Sequence, residues 1–183
     1  MKPGKIIHTF SSRDGRRVVL RTPTWNDLDG LLTLINSLVE EGANISIDER
    51  ITREDEIDWL SKTLTLLEKD EAFYVVAEVN GRVVSNSELR WKRTGHDRHV
   101  GSIGIVIADG FRGLGIGAEM MRVLIEQARE TGLKVLTLSV YANNEPAKHL
   151  YERVGFIEVG RIPKKFLKDG EYLDEIVMTR MLE

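Results

Sequence analysis

Apolar residues recur along this chain in two rhythms, and the switches between them outline its elements. From Leu28 to Val39 they return every three or four positions (Leu28, Leu31, Leu32, Ile35, Leu38, Val39), which predicts a helix to about Glu41. Thr24 is placed to cap it, Asp27 sets an acid near its positive end, and Gly42 ends it. After a loop to Ile51, Thr52 or Arg53 opens a second helix with Ile57, Leu60, Leu64 and Leu67 on its apolar face. The rhythm then becomes that of strands. Ala72–Val79 and Arg82–Trp91 flank Asn80-Gly81, a strong hairpin signal, and a polar turn at Lys92–Asp97 leads to a strand over Arg98–Ala108.

A glycine-rich loop covers 109–117. A helix follows from about Leu114 to Thr131, with Met121, Leu124, Ile125 and Ala128 on one face and Gly132 at its end. Val135–Val140 is a predicted strand and Asn144–Val154 a short helix. Phe156–Arg161 and Asp174–Met181 close the pattern through a turn at Asp169-Gly170. Near the start, Arg17–Arg21 reads as a strand able to pair with Ile6–Phe10 across Asp14-Gly15. This order predicts an α/β (α+β) fold: a single mixed, mostly antiparallel twisted sheet flanked by helices, with residues 1–183 as one domain.

Composition narrows the chemistry. There is no cysteine, which excludes disulfides, thiolate metal sites and cysteine nucleophiles. The four histidines (His8, His96, His99, His149) never fall at His-x-x-x-His or Glu-x-x-His spacing, so no metal site is expected. With Lys+Arg at 26 and Asp+Glu at 29 the net charge is −3, which is not the footprint of a protein that binds nucleic acid by bulk charge. No apolar run approaches the roughly 20 residues of a spanning helix. Met1-Lys2-Pro3-Gly4-Lys5 leads into no signal-peptide core, so no membrane association is expected and the expected address is the cytoplasm.

The informative segment runs from Ile103 through Ala118, where a buried strand enters glycines that open a long helix. Glycine lets a backbone come close to a ligand, and a helix N-terminus offers unpaired N–H groups and partial positive charge. A pyrophosphate suits such a place, with Arg112 beside it. Three readings meet here. No Gly-Lys-Ser/Thr follows, so the Walker loop is excluded. Gly113-x-Gly115-x-x-Ala118 matches the dinucleotide fingerprint literally, but Asp109–Arg112 separate strand from glycine and no acid ends a second strand at the required distance. The third is a phosphate loop of another kind, and against all three stands a plain glycine-rich turn before a core helix.

Two blocks decide among them. Arg112-x-x-Gly115-x-Gly117 resembles the R/Q-x-x-G-x-G/A signature of the GNAT superfamily of acetyl-CoA-dependent N-acetyltransferases. One strand later, Asn144 through Phe156 is similar to that family's N-x-x-A-x-x-L-Y-E-x-x-G-F pattern at every defined position. The resemblance spans about Arg17–Leu182 and is nearest to small ribosomal-protein and phosphinothricin-type members.

The resemblance implies direct transfer of an acetyl group from acetyl-CoA to an amine acceptor, a small molecule or a protein, with no metal. It implies that the third meander strand splays from the next parallel strand. Backbone groups of Ile105, Val106 and Ile107 would then bind the pantetheine arm, and an N–H there would hold the thioester oxygen. Amides of Gly113, Leu114, Gly115, Ile116, Gly117 and Ala118, with Arg112, would wrap the pyrophosphate. Asn144 would reach the coenzyme or act as a plain helix cap. Tyr151 is the expected general acid for the departing thiolate; by periodicity alone it is one more aromatic on a helix face. For the general base, the place where some relatives carry glutamate holds Ser139. Glu88 is the expected base instead, with His99 next and a water relay as an alternative.

Acids gathered over Glu40–Glu56 suggest a cationic acceptor, or merely solvated helix ends. The basic run Arg161–Lys168 is expected at a sheet edge, and a homodimer through such an edge stays open. A module that senses acyl-CoA without transferring it is the competing function, with a nicotinamide oxidoreductase third.

Overall fold

The computed structural model describes residues 1–182. Among them, eight strands form one sheet in the order β1-β2-β3-β4-β5-β6-β8-β7. The strands are β1 (Ile6–Ser11), β2 (Arg17–Arg21), β3 (Ala72–Val79), β4 (Arg82–Trp91), β5 (Val100–Ile107), β6 (Val135–Tyr141), β7 (Ile157–Lys168) and β8 (Glu171–Met181). Every neighbouring pair is antiparallel except β5 and β6. The expected fold class is therefore found, and the antiparallel meander excludes a doubly wound dinucleotide domain. No helix among the described residues is long and apolar enough to cross a membrane.

Local chemistry accounts for most boundaries. Asn80 and Gly81 both take positive φ (51° and 76°), as the tight β3–β4 turn requires. Helix α1 (Leu28–Glu40) starts later than the Thr24 cap suggested, because Trp25–Asp27 form a 3₁₀ turn. Asp27 is buried, and its carboxylate accepts the Thr24 N–H at 2.7 Å and two donors of Arg21 at 2.6 and 2.7 Å. Helix α2 (Arg53–Glu68) opens on a reciprocal cap between Thr52 and Asp55. Buried Asn36 on α1 holds the entry to α2 by bonding both the carbonyl and the N–H of Ile51, at 3.0 and 2.8 Å.

Two strand boundaries differ from expectation. β5 begins at Val100, because the turn runs on through Arg98 and His99. β7 and β8 extend to Lys168 and Glu171, past the expected limits at Arg161 and Asp174 and through Pro163 and Lys164. The sheet absorbs them as an irregularity between Ile162 and Phe166. Lys164 takes φ 55° and its N–H is satisfied by Asp174 Oδ1 at 2.9 Å. This strand, with its basic residues, lies at the sheet edge.

Helix α3 (Ile116–Glu130) covers one face of the sheet, and α1 with α2 cover the other. Ser85 Oγ meets Met120 of α3 at 3.0 Å, whereas Tyr74, opposite Glu88 in the register, meets Trp59 of α2 edge-on. Helix α4 (Glu145–Arg153) follows β6.

The parallel junction positions the site. β5 and β6 pair only at Val100–Val135, Gly101–Leu136 and Ser102–Thr137. Gly101 permits the close approach there: a Cβ would lie 2.8 Å from a Leu133 methyl and 2.9 Å from one of Leu89. Beyond Ser102 the strands part. β5 stays with β4 as far as Ile107–Ser85, and β6 stays with β8 as far as Tyr141–Glu175.

Candidate active site

The parted strands open into a cleft of about 1310 Å³, which reaches from the glycine loop to the face of α1 and α2. Its floor is a bare strand edge. Ala108 donates to the Val84 carbonyl at 2.9 Å, and Gly101 offers its carbonyl to Thr137 on the opposite side. Strand alternation then directs the peptide groups of Ile103, Ile105 and Ile107 into the gap and those of Gly104 and Val106 toward β4. Ser85 Oγ also donates to the Val106 carbonyl at 2.6 Å. All three residues expected to offer backbone line the cleft; Ile105 and Ile107 turn their peptide groups to the gap, where Arg112 already holds the Ile107 carbonyl, and Val106 turns its own to the β4 ladder.

The glycine loop stands at one end. Gly113 and Gly115 take φ of 73° and 91°, which delays α3 to Ile116 and aims its first N–H groups out of the loop. Leu114 and Ile116 sit half-buried and buried between these glycines, and Ala118 continues the first turn. A Cβ on Gly117 would come within 3.0 Å of Leu150 and 3.1 Å of Ile107, so the helix start, α4 and the bare strand are closely packed. Arg112 sends Nε to the Ile107 carbonyl at 2.9 Å and pairs with Glu41.

Sequence reasoning missed the support beneath this loop. Arg13, in the β1–β2 turn, donates its N–H to Leu114 and its guanidinium to Gly113, at 3.1 and 3.2 Å, and Arg16 reaches Gly110 at 3.2 Å. No local signal marks an arginine about a hundred positions upstream of the loop it braces.

At the other wall Asn144 caps α4, its Oδ1 accepting the Ala147 N–H at 3.3 Å, and it lines the cleft. Tyr151 is 7% exposed beside Phe156; burial pushes its hydroxyl up to about 12, so it keeps its proton at neutral pH. Tyr141 stacks on Phe166 with centroids 3.8 Å apart and donates to the Ile45 carbonyl at 2.9 Å. The loop after α1 is thereby tied over the cleft.

On the α1–α2 side, Glu88 lines the cleft but is paired with Arg90 at 2.6 Å. Arg90 is raised above its ordinary value; desolvation, the largest single effect, opposes the rise, and Glu88 and Tyr74 together outweigh it. His99 lies exposed beyond the far end of β5, outside the cleft, which removes it as a base. Of the seven acids of 40–56, three are engaged: Glu40 with Arg50, Glu41 with Arg112, Asp55 with Thr52. Glu56 differs. It is 6% exposed, has no side-chain partner among the described residues, lines the cleft, and burial pushes its carboxyl up to about 7. Among the described residues no cluster of three or more His, Asp or Glu is arranged to hold a metal.

Comparison with known proteins places this geometry. The model of the Acetyltransferase (GNAT) family matches residues 34–156. The chain is similar to the Escherichia coli L-amino acid N-acyltransferase MnaT, 26% identical over 161 residues, covering 86% of this chain and 90% of the relative. It is similar to the crystal structure of a ribosomal-protein-alanine N-acetyltransferase from Brucella melitensis, with TM-score 0.79 and 30% identity over 89% and 99% of the two chains. A phosphinothricin acetyltransferase from Sinorhizobium meliloti, solved in complex with AcCoA, shares the fold at TM-score 0.79 and 20% identity, over 90% and 88% of the two chains. The chain belongs to the GNAT family of acetyltransferases. It is an acyltransferase.

Proposed function

We propose that this protein transfers an acetyl group from acetyl-CoA directly to the primary amine of a small acceptor of the amino-acid kind. The observation that carries this reading is the bare edge of β5 beyond Ser102, in a cleft that the N-terminus of α3 and Tyr151 also line. Such an edge hydrogen-bonds an extended amide-containing arm as a strand would, through Ile105 and Ile107. One of their N–H groups would then stand beside the thioester oxygen and stabilise the negative charge it gains.

The residues present fit the cosubstrate at each point. The N–H groups of 113–118 and Arg112 meet the pyrophosphate, and Asn144 borders the arm. Tyr151, protonated at neutral pH, returns a proton to the departing sulfur. The acceptor enters from the α1–α2 side, beside Glu88 and Arg90. The amino-acid acceptor in the name of the similar Escherichia coli protein supports a small acceptor of this kind. Arg90, although paired with Glu88, lines the cleft and offers a cation to an acceptor carboxylate.

The test is thiol release from acetyl-CoA with a panel of amino acids, polyamines and peptides. Saturable release with one class of amine and formation of its N-acetyl product is expected. Absence of release with every amine would overturn the reading.

A further inference from the structure

We propose that Glu56, on the first turn of α2, takes the proton from the acceptor's ammonium group, and that Glu88 positions rather than deprotonates. This rests on the acetyl-transfer reading above. The argument starts from placement. Asn36 holds Ile51, the Thr52–Asp55 cap fixes the turn, and the Glu56 N–H donates to the Thr52 carbonyl at 3.1 Å, so the side chain is delivered to the cleft by a rigid helix start. A carboxylate buried to 6% exposure with no partner is costly, and proteins keep such groups where a ligand satisfies them.

The groups facing it are few. In the cleft it shares walls with Glu88 and Arg90 of β4 and with Asp55 of α2 itself, while α1 contributes the apolar side chains Leu31, Leu34, Ile35 and Leu38. Glu88 and Arg90 satisfy each other, and Asp55 is held by Thr52. Glu56 therefore has no cation until an ammonium arrives. Its carboxyl, pushed up to about 7 by burial, can exist in either form at neutral pH, as a proton carrier must.

The step balances as follows. One N–H bond of the ammonium breaks, its electron pair stays on nitrogen, and the proton passes to a Glu56 oxygen, directly or through one water. The freed pair forms the N–C bond at the thioester carbon. The C–S bond breaks with its pair on sulfur. Tyr151 donates its proton to that sulfur and recovers one from the nitrogen, which keeps the third hydrogen as the amide N–H. The proton on Glu56 leaves to solvent, so each turnover yields one amide, one thiol and one proton.

The experiment measures kcat/KM against pH for the wild type and for Glu56→Gln, Glu56→Asp and Glu88→Gln, using the best amine of the panel, with acetyl-CoA affinity measured by calorimetry. The wild type should fall on the acid side of an inflection near pH 7, where Glu56 becomes protonated. Glu56→Gln should lower kcat by about 10²-fold or more, lose that inflection and keep acetyl-CoA affinity within about twofold. Glu56→Asp should recover part of the rate with an inflection, and it carries the test if Glu56→Gln does not fold. Glu88→Gln should keep the inflection. A Glu56→Gln enzyme near the wild-type rate, or slow with the inflection intact, overturns the role of Glu56 alone, as does an inflection lost in Glu88→Gln instead. Failure of the wild type with every amine overturns both the transfer reading and this role.

Discussion

Arg112 joins the glycine loop to the end of α1 by pairing with Glu41 while its Nε holds the Ile107 carbonyl at 2.9 Å. An anion at the α3 N-terminus competes with that carboxylate for the guanidinium. Both side chains are partly exposed, so the pair is worth less than about 1 kcal/mol, or up to about fivefold in affinity. Glu41→Gln should tighten acetyl-CoA binding by about that factor at low salt, with the gain fading as salt rises, and Arg112→Gln should weaken it about tenfold. Calorimetry at two ionic strengths checks both.

Gly117 separates packing from charge. The contacts its Cβ would make are with the tips of Leu150 and Ile107, which can shift by a few tenths of an ångström. Alanine also gains about 1 kcal/mol of helix propensity, so Gly117→Ala should change stability by less than about 1 kcal/mol. Gly117→Glu adds a carboxylate where the pyrophosphate is expected and should abolish acetyl-CoA binding while the protein stays folded. Normal affinity in Gly117→Glu would mean the pyrophosphate lies elsewhere.

Tyr151→Phe removes only a hydroxyl. Turnover should drop about 10²-fold with acetyl-CoA affinity within about twofold. Because burial pushes this hydroxyl up to about 12, the wild type should show no loss of its acid between pH 7 and about 10. An unchanged kcat in Tyr151→Phe would remove it from the reaction.

Glu56 makes a prediction about stability that needs no substrate. Its carboxyl binds a proton more tightly folded (about 7) than at its ordinary 4.5, so folding loses stability as pH rises from about 4.5 to 7 and no more thereafter. Glu56→Gln lacks this penalty. Relative to wild type it should gain stability across that window, by at most about 3 kcal/mol at pH 8. Urea denaturation at pH 5 and pH 8 measures the difference; an equal gap at both would place Glu56 in contact with water.

The meander was readable because Asn80-Gly81 and Asp169-Gly170 act within two residues, and the α3 and α4 starts because glycine and Asn144 act on their own turn. The expected strand stops at Arg161, whereas pairing with β8 carries β7 on to Lys168, and the Asp174 carboxylate satisfies the Lys164 N–H on the way. His99 falls within the expected strand Arg98–Ala108, yet the strand starts one residue later. Glu56 was read as one of several helix-start acids, since its distinction is burial, which spacing does not report.

By itself, then, the sequence determined the family, the order of the elements, the glycine loop and the Asn144–Phe156 block, all carried by residues within a turn or two of one another. The tertiary structure alone decided where β5 leaves β6, after Ser102 and Thr137. It decided that Ile105 and Ile107, not Val106, face the gap, that Arg13 braces the loop, and that Glu56 stands alone in the cleft while Glu88 is held by Arg90. These are matters of sheet register and of side chains brought together from distant segments, and such contacts are set by packing the whole sheet against its helices.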